Sequence, residues 1–210
     1  MKLSNFAPKF LKQSRLYRKL SREDRVRRLR RRMAGASPLK VVLGAGETEF
    51  PGWFNTDFEV LNITSPRNWA QLFAPETIDA LLSEHVLEHL SEEEGRIAVN
   101  ECYRYLKHGG LLRAAVPDGY RRDAAYVAEA SPPKDGHQEL YNVDSFTALL
   151  KGVGFVVTPL EYFDAEENFH AQPWDENEGM VMRSIRFDSQ VEFQRDQMFY
   201  TSLIVDARKV

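Results

Sequence analysis

From Leu39 onward, short apolar runs bounded by glycine and proline alternate with segments of helical periodicity, and this alternation is what most limits the fold. Leu39–Leu43 is a brief apolar run stopped by Gly44, as a buried parallel strand would be. Trp53–Phe58 reads as a second strand, Glu59–Ile63 as a third, and Thr77–Leu82 as the next. Ser91 with Glu94 makes a capping box for a helix carrying Ile97, Val99, Cys102 and Leu106, which is expected to stop at Gly109–Gly110. Leu111–Val116 is strand, closed by the turn Pro117-Asp118-Gly119. Asp144 is expected to cap a helix through Leu150 that ends at Gly152 or Gly154. Phe155–Phe163 and Phe199–Ala207 then supply the last two strands. This order predicts an α/β protein with a Rossmann-like open sheet and an antiparallel C-terminal strand. At 210 residues the chain is long enough for one well-cored domain, and no apolar run approaches the ~20 residues needed to span a bilayer.

Charge divides the chain in two. Residues 1–37 carry thirteen Lys/Arg against Glu23 and Asp24, so a cationic arm of +11 precedes a body, residues 38–210, of -14. Phe6, Phe10, Leu16, Leu20, Val26, Leu29 and Met33 fall partly at helical spacing, which makes the arm a basic amphipathic helix. Three roles compete for it: lying on an anionic membrane, contacting nucleic acid, or packing against the acidic body. The charged N-terminus does not resemble a secretory signal, and the single cysteine, Cys102, fits a reducing compartment as a small core filler. The expected location is cytoplasmic, with the arm able to touch a membrane from that side.

The chemistry-bearing residues cluster at the ends of the early strands, where open α/β sheets bind ligands. Gly44-Ala45-Gly46 allows backbone N–H groups to approach a ligand, although glycines at strand ends also occur for steric reasons alone. Asp57 ends the next strand and can accept hydrogen bonds from a ribose diol, or it is a turn acid. Glu84-His85-Val86-Leu87-Glu88-His89 follows the strand Thr77–Leu82. No H-E-x-x-H spacing or cysteine set accompanies it, so no metal is expected.

Together these segments resemble the class I S-adenosylmethionine-dependent methyltransferases, in particular the type 11-like small-molecule group with a short glycine loop followed by G-W-x-N-x-D. The resemblance rests on Val41–Gly46, on Pro51-Gly52-Trp53-Phe54-Asn55-Thr56-Asp57, on Ile78–Leu90 with its H-V-L-E-H-L, and on Val116-Pro117-Asp118-Gly119. Later stretches, His137–Asn142, Leu160–Asp164 and Tyr200–Ala207, are similar to that group as well. It implies S-adenosyl-L-methionine as cofactor, with Gly44, Ala45 and Gly46 at the methionine moiety, Asp57 on the ribose, and Asn62 near the adenine. Ser83, Glu84 and His85 would line the reactive end. His85 and His137 are the candidate general bases, and Tyr141, His170, Trp174 and Arg183 the candidate acceptor contacts, the acceptor being a small molecule or a glycan.

Two departures qualify the likeness. Val42 stands where many members carry an acid, and the stretch from Glu47 to Gly52 is too short for a crossover helix, so a backbone nest must replace a helix N-terminus. A non-catalytic binding module with the same fold stays open. A nicotinamide-dependent oxidoreductase is disfavoured because G-A-G-E-T-E lacks the third glycine of G-x-G-x-x-G.

Overall fold

The computed structural model describes residues 15–46, 49–188 and 201–210. Phe6 and Phe10 of the arm, and the expected first residues of the last strand at 199–200, lie outside them. One seven-stranded sheet organises the molecule, in the order β2-β1-β3-β4-β7-β5-β6. Its strands are β1 Lys40–Leu43, β2 Phe54–Asn55, β3 Ile78–Glu84, β4 Leu106–Val116, β5 Phe155–Phe163, β6 Phe169–Ala171 and β7 Leu203–Lys209. The pairs β1–β2, β1–β3 and β3–β4 are parallel, and β7 runs antiparallel between β4 and β5. The helices are α1 Arg15–Met33, α2 Pro66–Leu72, α3 Glu92–Tyr105, α4 Ala124–Ala130, α5 Val143–Val153 and the short α6 Ile185–Asp188.

Several expectations shift on the structure. Glu59–Ile63 is not a strand: Asp57 carbonyl accepts both Val60 and Leu61 N–H at 2.8 Å, turning the chain into α2. The capping box at Ser91 and Glu94 forms, but α3 ends at Tyr105 rather than at the glycines, because Leu106 already pairs with Ile78. Asn142, not Asp144, caps α5, in a reciprocal box with Ser145, and Gly154 closes it in the left-handed region at φ +114°.

The main core fills one face of the sheet, where Trp69, Val99, Cys102, Tyr105, Phe146 and Leu150 pack from α2, α3 and α5. Val26, Leu29 and Met33 join it, so the C-terminal part of the basic arm packs on the body. Burial at Cys102 pushes its thiol pKa up, consistent with a filler role. The opposite face carries Val42, Leu82, Ala115 and Ile204, covered by Phe50, Trp53, Trp174, Met180 and Val181. These come from the loop joining β1 to β2 and from the strap of residues 172–188, instead of a helical layer.

Candidate active site

The chain leaves β1 for β2 on one side and then crosses to β3 on the other, so the topological switch lies at the carboxyl ends of β1 and β3. Gly44 and Gly46 both take positive φ, +61° and +55°. At Gly44 a Cβ would stand 2.6 Å from Val86 Cγ2, so this glycine is required by the packing of Val86. At Gly46 nothing lies within 4 Å of that position, which leaves open space over the loop. Ala45 N–H donates to the Thr56 carbonyl at 2.9 Å, while Thr56 N–H and hydroxyl donate to the Val42 carbonyl at 2.9 and 2.7 Å. These bonds draw the glycine loop against the end of β2, where the Asp57 carboxylate is exposed and Oδ1 accepts Phe58 N–H at 2.6 Å. Phe58 itself is 71% exposed, an unusual placement for a phenyl ring.

Ser83, Glu84 and His85 follow on the neighbouring strand. Ser83 is buried, and its hydroxyl has no hydrogen-bond partner among the described residues. His85 takes φ +52° with its N–H donating to the Ala115 carbonyl at 2.9 Å, which turns the ring away from the strand. Its Nδ1 lies 2.9 Å from Glu88 Oε1 and its Nε2 2.8 Å from Ser202 Oγ. Burial depresses the imidazole pKa below its ordinary value against the opposing pull of Glu88, so the ring is neutral at pH 7. A carboxylate beside Nδ1 places the proton there, and Nε2 then accepts from the Ser202 hydroxyl.

The strap closes over these groups through two carboxylates, Glu84 and Glu161. Glu84 accepts Met182 and Arg183 N–H at 3.1 and 2.8 Å, so its carboxylate anchors the strap. Glu161, 2% exposed on β5, accepts Trp174 Nε1–H and Ile185 N–H, both at 2.8 Å. Arg113, fully buried on β4, makes a two-pronged pair with Asp206 at 2.7 and 2.8 Å and donates to the Asp175 and Gly179 carbonyls. Its guanidinium lies 4.8 Å from the Trp174 ring centroid. Arg113, Glu161, Glu88 and Ser202 were not singled out from sequence. Arg113 and Asp206 do interrupt two apolar runs with opposite charges, a signal of in-register strand neighbours, and the strands pair them directly.

The remaining candidates separate. Arg183 comes beside the His85 site, since its carbonyl accepts Ser202 N–H at 2.9 Å. Trp174 is spent on Arg113 and Glu161. Asn62 uses its Oδ1 to hold Thr64 N–H and hydroxyl at 3.0 and 2.9 Å, shaping a turn. Tyr141, expected at the acceptor, stands in the core against Phe146, its phenol pKa pushed up to about 12 by burial. His170 pairs with Asp164 at 2.7 Å on the edge strand β6, four strand spacings or roughly 19 Å from β3. His137 is buried beside His89, with ring centroids 4.9 Å apart, and Nδ1 is 2.7 Å from the Ala130 carbonyl.

Residues 45–114, a third of the chain, match the family model described as a methyltransferase domain. No curated protein matches the chain. Among solved structures, a SAM-dependent methyltransferase of Thermotoga maritima aligns with TM-score 0.50 at 14% identity, covering 92% of this chain and 98% of that one. Another from Archaeoglobus fulgidus aligns with TM-score 0.49 at 14% identity over 95% and 98%. The 1,6-didemethyltoxoflavin-N1-methyltransferase of Burkholderia thailandensis aligns with TM-score 0.46 at 12% identity over 88% and 78%.

Proposed function

We propose, from the match of residues 45–114 to the methyltransferase-domain model and from the Rossmann-like sheet, that the chain binds S-adenosyl-L-methionine at the ends of β1, β2 and β3 and methylates a small-molecule or glycan-type acceptor. The observation that carries this reading is the meeting of an open glycine loop, an exposed acid and a buried base on adjoining strand ends. The residues fit such a cofactor: Asp57 can hold both ribose hydroxyls, Phe58 offers a ring to the adenine, and the unpartnered Ser83 hydroxyl awaits a polar group. Val42 supplies no acid to the cofactor's ammonium, and its side chain is buried in the second core.

The cofactor supplies an already activated methyl group on a sulfonium, which leaves alignment, desolvation and proton removal to the protein. His85 is neutral and carries its proton on Nδ1, toward Glu88, so Nε2 is the basic atom. An acceptor hydroxyl or amine that takes the place of Ser202 Oγ, or that donates through it, loses its proton to Nε2. Arg183 and the strap lie beside His85 and bound the acceptor side. No described helix is long and apolar enough to cross a membrane. Arg22 holds Gln71 and the Val60 carbonyl at 2.7 and 2.9 Å, while Arg27, Arg30 and Arg31, with Glu23, line a groove between α1 and α2, a surface suited to an anionic membrane or nucleic acid as a peripheral cytoplasmic partner.

Calorimetry with S-adenosylhomocysteine and with NAD tests the reading. S-adenosylhomocysteine should bind, NAD should not, and Asp57→Ala should weaken the former about 10-fold or more, the scale of one charge-assisted contact. Absence of S-adenosylhomocysteine binding, together with strongly salt-dependent binding through the arm, would replace the enzyme by a binding module.

A further inference from the structure

The turn Leu87–His89 after β3 and the loop leading to α5 meet at a cluster that shares only Glu88 with the proposed methyl transfer. One carboxylate oxygen of Glu88 and one ring nitrogen each of His89 and His137 all lie within 4.8 Å of one another. Three hydrogen bonds join the two segments: Gln138 and Glu139 N–H donate to the Glu88 carbonyl at 2.7 and 3.1 Å, and Gln138 Nε2–H donates to the His89 carbonyl at 2.7 Å. The Ala130 carbonyl can only accept, so its 2.7 Å contact places the His137 proton on Nδ1 and leaves Nε2 as a bare lone pair. A histidine ligand is usually oriented by this same arrangement of Nδ1–H against a backbone carbonyl. Glu88 is fully buried, and its Oε2 has no hydrogen-bond partner among the described residues. A carboxylate oxygen so enclosed requires a positive partner.

We propose that Glu88, His89 and His137 form a binding site for one divalent transition-metal ion, Zn2+ being the best match to a two-imidazole, one-carboxylate donor set that leaves a position open. Ligand atoms around Zn2+ stand about 3.4 Å apart in tetrahedral geometry, so binding asks for a rotamer-scale convergence of the three side chains. The ion fastens the 87–89 turn to the 137–139 loop and balances the Glu88 oxygen that does not face His85. The site shares Glu88 with the His85 pocket, but its test reads metal binding and not methyl transfer.

Tag-free protein stripped with chelator and titrated with Zn2+ by calorimetry tests it. The wild type should bind one equivalent with micromolar or tighter affinity, and His89→Ala and His137→Ala should each weaken binding about 100-fold. The His170→Ala control, which removes the exposed His170–Asp164 pair, should leave binding unchanged. Co2+ should develop the intense visible bands of a low-coordinate protein site in the wild type alone. Far-UV circular dichroism checks folding, and if His137→Ala is unfolded, His89→Ala decides. Loss of binding in His170→Ala, equal binding by wild type and His89→Ala, or no stoichiometric binding by the wild type overturns the site.

Discussion

At the residue scale, the group proposed as the base is an imidazole enclosed between a carboxylate and a hydroxyl. Because burial lowers the His85 pKa, its neutral form persists to a pH below the ordinary imidazole value. The single-turnover rate of the wild type is therefore expected to hold through neutrality and fall only on the acid side. His85→Gln should lower that rate roughly 10²–10⁴-fold and remove the acid limb, with S-adenosylhomocysteine affinity nearly unchanged. An unaltered rate for an acceptor with a proton to lose would remove His85 from the chemistry. His85 was legible in sequence because it follows a strand within E-H-V-L-E-H. Its setting was not: Ser202 stands 117 residues away in sequence and Glu88 reads as an ordinary acid on a short turn. The same limit hid the company of His137, whose tautomer is set by a backbone carbonyl that no motif encodes.

At the scale of elements, the strap of residues 172–188 replaces a helical layer and is held by polar anchors. Arg113 is the strongest, joining β4, β7 and two strap carbonyls. Arg113→Ala leaves Asp206 and those carbonyls without their partner and should destabilise the fold by about 3–5 kcal/mol in urea unfolding. Arg113→Met combined with Asp206→Leu should recover much of this loss, because it removes both charges while keeping volume. If Arg113→Ala costs as little as a surface substitution, the anchoring role is wrong. Most strands were readable, since apolar runs bounded by Gly and Pro are strong punctuation. Errors fell where a local signal was outweighed by pairing or was too short. Leu106 follows a strong helix but pairs with Ile78 of β3 and starts a strand, and α2, at seven residues, offers only Trp69 and Leu72 as a periodic pair.

At the scale of the whole molecule, Asp118 couples pH to stability. It sits fully buried at the end of β4, accepting Phe163 N–H from β5 at 2.7 Å and Tyr120 N–H at 3.0 Å. Burial raises its pKa to about 6, so the folded state holds this proton more tightly than the unfolded chain does. The stabilisation is full below the unfolded value near 3.8 and is lost as pH rises through about 6. Unfolding of wild type and Asp118→Asn compared from pH 4 to 7 should show the wild type losing up to about 3 kcal/mol relative to the variant. Parallel pH profiles for the two proteins would exclude the coupling.

The sheet order has a consequence for synthesis on the ribosome. β7 lies between β4 and β5, although both are translated before it. Until residues 203–209 emerge, the parallel strands through β4 and the β5–β6 hairpin with α5 lack the strand that joins them into one sheet. For on the order of ten seconds the long, apolar margin of β4 has no neighbour, a period in which chaperone shielding would matter most. Ser202 arrives with this same late insertion, so the contact that completes the His85 pocket forms only once β7 is in place.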